Sequence, residues 1–514
     1  MLARAVVGRV DGEGATMISR AAGRWQLLRM LVVGLALSSM AHVGSPDTFF
    51  TGNAGPYPLR VTVRLPGVVP GLAQVTVRIP KEAGVIGRVT VQAIQWNLGA
   101  DGAPPPDRGA PVPGDSELYA ADLWFMAPTS YRLVVVVEGP SGNGTATVPV
   151  MALATVQRPM PKGMGVLLAA LGVFLAAGLL TIISVAVRES VVPPGGVPDD
   201  QQRRRGRIAT VVGSVLLAIA VFGGRAWWNA EAFAYADSVL YRPFASAAAV
   251  KTSDDGARML SLTINDRRWP PTNPGSRYNA LLPDHGKLMH MFMIRDGDLG
   301  AFAHVHPVPR SEKAESFDVA IPPLPPGKYR VYGDIVHESG YAQTLVASAT
   351  LDGSPGTATG ADLDDSWFDD TAVSEGVTAS VRGADGTTIT WQRGDRLVAG
   401  VERLLIFTAT NADGTPAALE PYMGMIGHVA VANAEGTIFA HLHPSGSIAM
   451  AALQKFAGAA DPHAQHQPMT GNTLSIPYAF PRAGKYRLWV QVKRGGHVVT
   501  GAFDLEVRLA STGK

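Results

Sequence analysis

Phe302-Ala-His304-Val-His306-Pro307 recurs as Phe439-Ala-His441-Leu-His443-Pro444. On an extended chain, residues i and i+2 share a face, so His304 projects with His306 and His441 with His443. The flanks repeat too. Gly286-Lys-Leu-Met-His290 matches Gly424-Met-Ile-Gly-His428 upstream, and Pro326-Gly-Lys-Tyr-Arg-Val331 matches Ala483-Gly-Lys-Tyr-Arg-Leu488 downstream. Order and spacing agree, which predicts two sandwich domains of one type, at 230–352 and 362–514. The linker is read as Asp352–Ala361, rich in Gly, Ser, Thr and Ala. In each copy a short turn, 295–300 or 433–437, separates His290 or His428 from the paired histidines. A hairpin there would set the third imidazole against the other two.

Period-two runs of β-branched residues broken by Pro and Gly predict strands. In the C-terminal region they cover 260–264, 288–294, 301–306, 329–336, 404–409, 428–432, 438–443 and 486–492. No amphipathic helix is expected there. The N-terminal region, 42–160, shows the same pattern at 59–65, 74–79, 88–94 and 131–137. The expected fold class is mostly β: several Ig-like β-sandwich domains plus two transmembrane helices.

Of the 12 histidines, His42 stands alone and the rest follow residue 284. Three imidazoles on one sheet face form a donor set for copper or zinc. The principal candidate ligands are His290, His304 and His306, then His428, His441 and His443. His285 (matched by Met423), His337 and His497 are further candidates, as are His463 and His466 beside Met469. His42 would offer its amine and ring together if cleavage made it the N-terminus. The alternative for the triads is an internal hydrogen-bond network, in which each neutral imidazole needs a donor and an acceptor. Met289, Met291 and Met293 alternate with His290 and Phe292, and Met423 and Met425 precede His428. Thioethers beside imidazoles suit Cu(I), whereas methionine on a strand also serves as core filling. Asp284, Asp334 and Glu338 are placed to orient imidazoles.

The chain has 514 residues, no cysteine, a net charge of +2 and only 17% charged residues. The missing cysteines exclude disulfides, thiolate zinc sites and blue-copper sites. The small net charge, with no basic stripe, argues against nucleic acid as a partner. No GxSxG, HExxH, P-loop or Rossmann fingerprint occurs.

Residues 1–41 read as a signal peptide: Arg20, Arg24 and Arg29 precede an apolar run ending Ser39-Met40-Ala41. Gly163–Val187 is uncharged throughout and long enough to span a bilayer. Ile208–Gly224 is shorter and is followed by Trp227 and Trp228, giving a second span at 208–228. Between them, 188–207 carries Arg188, Arg203, Arg204, Arg205 and Arg207, so it is expected in the cytoplasm. Both histidine domains then lie on the extracytoplasmic, periplasmic face of a bacterial cytoplasmic membrane.

The stretch Ala41-His42-Val43-Gly44-Ser45-Pro46 resembles the start of bacterial periplasmic copper-carrier domains of the CopC-like and YtkA-like kind, which are Ig-like sandwiches. The HxHP repeats, over about 278–351 and 418–507, resemble domains of exported bacterial proteins linked to copper or other heavy metals. The resemblance implies metal handling. The N-terminal stretch departs from the carrier pattern by lacking a second histidine. The expected function is copper buffering or delivery, with zinc as the second choice of ion and a metal-donor or metal-acceptor protein as partner. A copper monooxygenase-like enzyme and a metal-free envelope scaffold are the rival readings.

Overall fold

A computed structural model describes residues 42–43, 47–270, 273–353, 355, 362–369, 379–394, 396–457 and 471–510. The signal segment, most of the expected linker, and the loop with His463, His466 and Met469 lie outside these residues. The described chain is mostly β, built as sandwiches, with two long helices.

In the N-terminal sandwich, one sheet runs Thr48–Ala54, Tyr57–Arg64, Gly71–Arg78, Asp115–Phe125 and Ala110–Val112. The other runs Gly142–Met151, Ser130–Gly139, Arg88–Gln95 and Asp107–Arg108. Alternate Val and Leu residues of both sheets, such as Val61, Val75, Val91 and Val135, fill the core between them. The backbone of His42–Val43 pairs elsewhere, parallel to Ile438 and Phe439 at the edge of the second histidine sandwich.

Lys162–Glu189 and Asp200–Ser238 form a helical hairpin, each helix long and apolar enough to cross a membrane. The second helix begins well before 208, because Asp199 and Gln202 make a reciprocal capping box that starts it among the arginines. The two outer ends of the hairpin meet: Tyr241 N–H donates to Ala154 O at 2.8 Å. The arginine-rich turn therefore lies at the opposite end from the sandwiches.

Each histidine domain is a sandwich. The first packs Ser246–Thr252, Arg258–Ile264, Ser316–Ala320 and Val308–Pro309 against a six-stranded sheet. That sheet centres on the Asp334 strand (Gly327–His337), the His290 strand (His290–Arg295) and the His304 strand (Ala301–Val305). Its edge is Ser366–Asp369, a segment expected from the sequence to open the second domain. The second copy repeats the plan with the Gln491 strand (Gly484–Arg494), the His428 strand (His428–Asn433) and the His441 strand (Ile438–Leu442).

One element contradicts the sequence reading. Met450–Ala457 is a helix whose Met450 and Leu453, with Met425 and Ile448, enter the core of the N-terminal sandwich. At eight residues it is too short to display a convincing helical period in the sequence. Beside it, Thr51 N–H donates to Ser445 O at 2.8 Å, and Gly446 takes φ +117° directly against Phe49. A Cβ on Gly446 would meet Phe49 O at 1.9 Å. Gly446→Ala is therefore expected to cost about 1–3 kcal/mol. A lowered melting temperature and faster proteolysis at this junction would register it; an unchanged protein would refute the docking.

Candidate metal centre

Strand alternation decides which way each imidazole points. Met289, Met291 and Met293 turn into the core of the first sandwich, while Phe292 and Ile294 turn outward with His290. On the next strand Ala301, Ala303 and Val305 turn inward, and Phe302 turns outward with His304 and His306. The second copy does the same. Val429, Val431, Ile438, Ala440 and Leu442 face its core; Ala430, Ala432 and Phe439 face outward with His428, His441 and His443. The three methionines are thus core filling and not ligands.

The outward faces are not solvated: they pack on each other. Phe302 stacks on Trp489 of the second copy, with centroids 4.8 Å apart, and Phe439 stacks on Tyr332 of the first at 4.2 Å. Tyr332 and Trp489 are equivalent positions of the repeat. The contact is therefore reciprocal, like that of a two-fold dimer made within one chain.

The histidines sit at one end of this interface. In register, Met291 pairs with Val305 and Val429 with Leu442, so one step further His290 faces His306 and His428 faces His443. His290 Nδ1 lies 3.2 Å from His304 Nε2, and His428 Nδ1 lies 3.2 Å from His441 Nε2. In each triad, one nitrogen from every ring falls within 4.8 Å of the others.

The remaining ring nitrogens set the tautomers. His290 Nε2 meets Asp284 O at 3.1 Å and His428 Nε2 meets Tyr422 O at 3.3 Å. His304 Nδ1 meets Gln491 Oε1 at 3.0 Å, His306 Nδ1 meets Asp365 Oδ1 at 2.8 Å and His443 Nδ1 meets Ile448 O at 2.9 Å. His441 Nδ1 faces Asp334 Oδ2 at 3.5 Å, the longest of the set. Five of these contacts are hydrogen bonds and the sixth faces a carboxyl, so a ring carrying one proton directs that N–H away from the triad. One nitrogen of each ring is left facing inward. His306 Nε2 and His443 Nε2 are buried with no hydrogen-bond partner among the described residues.

A hydrogen-bond network fits this arrangement poorly. Joining His290 to His304 would need an extra proton on one ring, an imidazolium in a dry site. Burial and mutual repulsion hold His290, His304, His428 and His441 well below the usual imidazole range.

Three orienting partners cross the interface. Gln491 of the second copy holds His304 of the first, with the Tyr422 hydroxyl 3.3 Å from the same nitrogen; Asp334 of the first faces His441 of the second. Asp334 and Gln491 occupy equivalent repeat positions. Burial, with Asp284 nearby, pushes the Asp334 carboxyl up to about 7.

Of the other candidates among the described residues, only His285 comes close. It occupies the first turn position, φ 52°, equivalent to Met423 at φ 49°. Its ring centroid lies 5.5 Å from that of His428 and 5.7 Å from that of His443, so it faces the second triad. His337 is buried among Phe244, Trp269, Tyr278 and Tyr341, away from both triads, and burial lowers it to about 4. His497 is exposed at the start of a hairpin strand. Glu338 is exposed, and Asp284 contributes its carbonyl, its carboxylate instead accepting from Ala451 N–H. Sequence reasoning missed Asp365, Gln491 and Tyr422, which lie outside both hairpins; only the Asp334–Gln491 equivalence in the repeat pointed toward one of them.

Among solved structures, PorU from Porphyromonas gingivalis aligns at 9% identity over 90% of this chain and 34% of its own, with a TM-score of 0.13. This chain thus spans about a third of that protein's length. A Corynebacterium diphtheriae protein described as membrane anchored aligns at 8% identity over 91% and 97% of the two chains, TM-score 0.14. The ICAM-5 D1–D4 ectodomain aligns at 9% over 91% and 84%, TM-score 0.14. No curated protein matches the chain. The profile of a domain of unknown function (DUF8832) matches residues 251–352 and 379–508, so the chain is similar to that domain across both histidine sandwiches.

Proposed function

We propose that this protein is a membrane-anchored, extracytoplasmic metal-binding protein of copper homeostasis, buffering or delivering ions held at the two triads. The single observation behind this reading is the convergence of six imidazole nitrogens in two threes, the other nitrogen of each ring turned outward to an oxygen. Outward partners of this kind are the usual support of metal-bound imidazole. An all-imidazole set accepts copper or zinc. Copper is favoured because divalent copper binds a given set of imidazoles more tightly than zinc does. The helical hairpin, with its arginine-rich turn away from the sandwiches, supports a bacterial cytoplasmic-membrane anchor with the sandwiches outside.

Elemental analysis of the detergent-solubilised full chain, equilibrated with copper and with zinc, tests this. Two tightly held ions per chain are expected, one for each triad, with copper retained over zinc. Each ion, at a thousandfold excess over its Kd, should stabilise the fold by about 4 kcal/mol. No retained metal would sink the reading and leave a scaffold. The nearness of the triads favours a second reading, a copper-dependent monooxygenase-like enzyme, for which oxygen and reductant consumption by the loaded protein is the assay.

A further inference from the structure

The closest spacings between the triads match the widest spacings within them. His290 and His304 of the first copy have their ring centroids 5.4 and 5.5 Å from that of His441 in the second. Within the triads, His290 and His304 are 5.4 Å apart, and His428 and His441 are 5.3 Å apart. The rings form one continuous cluster, with Phe292 packed against both His304 and His441.

A single cavity of about 120 Å³ reaches both sets, lined by His290 from one and by His441 and His443 from the other. Asp284 and Asp334 complete its polar wall, and Asp47 of the N-terminal sandwich closes it. It has room for a few water-sized molecules. Three histidines of the two triads thus share the wall of one cavity with Asp284 and Asp334.

We propose that the two triads form one dinuclear centre, whose ions share a small bridging anion, with solvent hydroxide the simplest. The proposal rests on the metal reading above. Three neutral imidazoles give each ion no compensating charge, so a shared anion between two divalent ions relieves their repulsion. The crossed partners serve the same end. Gln491 fixes His304 and Asp334 faces His441 from the opposite copy, so neither triad keeps its geometry unless both sandwiches are docked.

The test is electron paramagnetic resonance of the full chain loaded with Cu(II), read against its copper content. Bridged ions couple, so most of the expected signal should be lost although both coppers are bound. His306→Gln should then release one copper and regain the signal of one isolated spin, a gain of intensity on loss of metal. His443→Gln should do the same from the other side, should H306Q fail to fold. Two coppers with the full intensity of two independent spins would overturn the shared centre and leave the metal reading intact. A chain that binds no copper would overturn both.

Discussion

Truncating Trp489 to Ala is expected to lower the unfolding free energy by about 3–5 kcal/mol and to disable both triads without removing a histidine. Trp489 is fully buried, stacked flat on Phe302 across the interface. It occupies the same strand face as Gln491, which holds His304. Losing the ring leaves a cavity where the two copies meet, not inside either sandwich core, so the sandwiches should survive as folded units while their docking weakens. Chemical denaturation should show a lower midpoint, and metal stoichiometry should fall with it. A variant as stable as the parent, or one that is destabilised but keeps both ions, would show that the triads work without the interface.

Acid should unfold the metal-free protein with comparable force. Ordinary imidazole titrates near 6.5, whereas His290, His304, His428 and His441 lie well below that in the fold. Below 6.5 the unfolded chain takes up protons that the folded chain refuses, so stability is complete above 6.5 and drains away as pH falls. One unit below, these four and His337, which burial lowers to about 4, cost about 1.4 kcal/mol each, or about 7 kcal/mol together. Asp334 acts oppositely. Its folded carboxyl, pushed up to about 7, holds a proton that the unfolded one releases down to the ordinary 3.8. Between those values it favours the fold as pH falls, offsetting about 2 kcal/mol at pH 5.5. The net loss from pH 7.5 to 5.5 should be at least about 5 kcal/mol, His443, also lowered by burial, adding to it. Denaturation of chelator-treated protein at both pH values measures it. A flat or rising stability would mean that the imidazoles are hydrated and the site is not closed.

Much of the architecture was legible in the chain. The strands at Leu260, His290, His428 and Tyr486 declared themselves because β-branched, aromatic and methionine side chains alternate there. Others were hidden. Thr48–Ala54 reads Thr-Phe-Phe-Thr-Gly-Asn-Ala, and Asp115–Phe125 carries polar residues on both faces. Such strands are held by their neighbours more than by their own pattern. The helix at Met450–Ala457 was equally silent, since it forms by burial against a domain remote in sequence.

The triads themselves were local facts. Two histidines at i and i+2 and a third across a short hairpin must share a face whatever surrounds them, because strand geometry admits nothing else. The repeat then required that what held for one copy hold for the other. Alternation also says which residues leave the sandwich core, but it cannot say what covers them. That His290 and His441 come within ring contact, and that Gln491 reaches His304 and Asp334 faces His441 from the opposite copy, was decided only when the two faces docked. Docking depends on the complementary shapes of Phe302, Trp489, Phe439 and Tyr332, and these meet across separations in the chain over which no period is written.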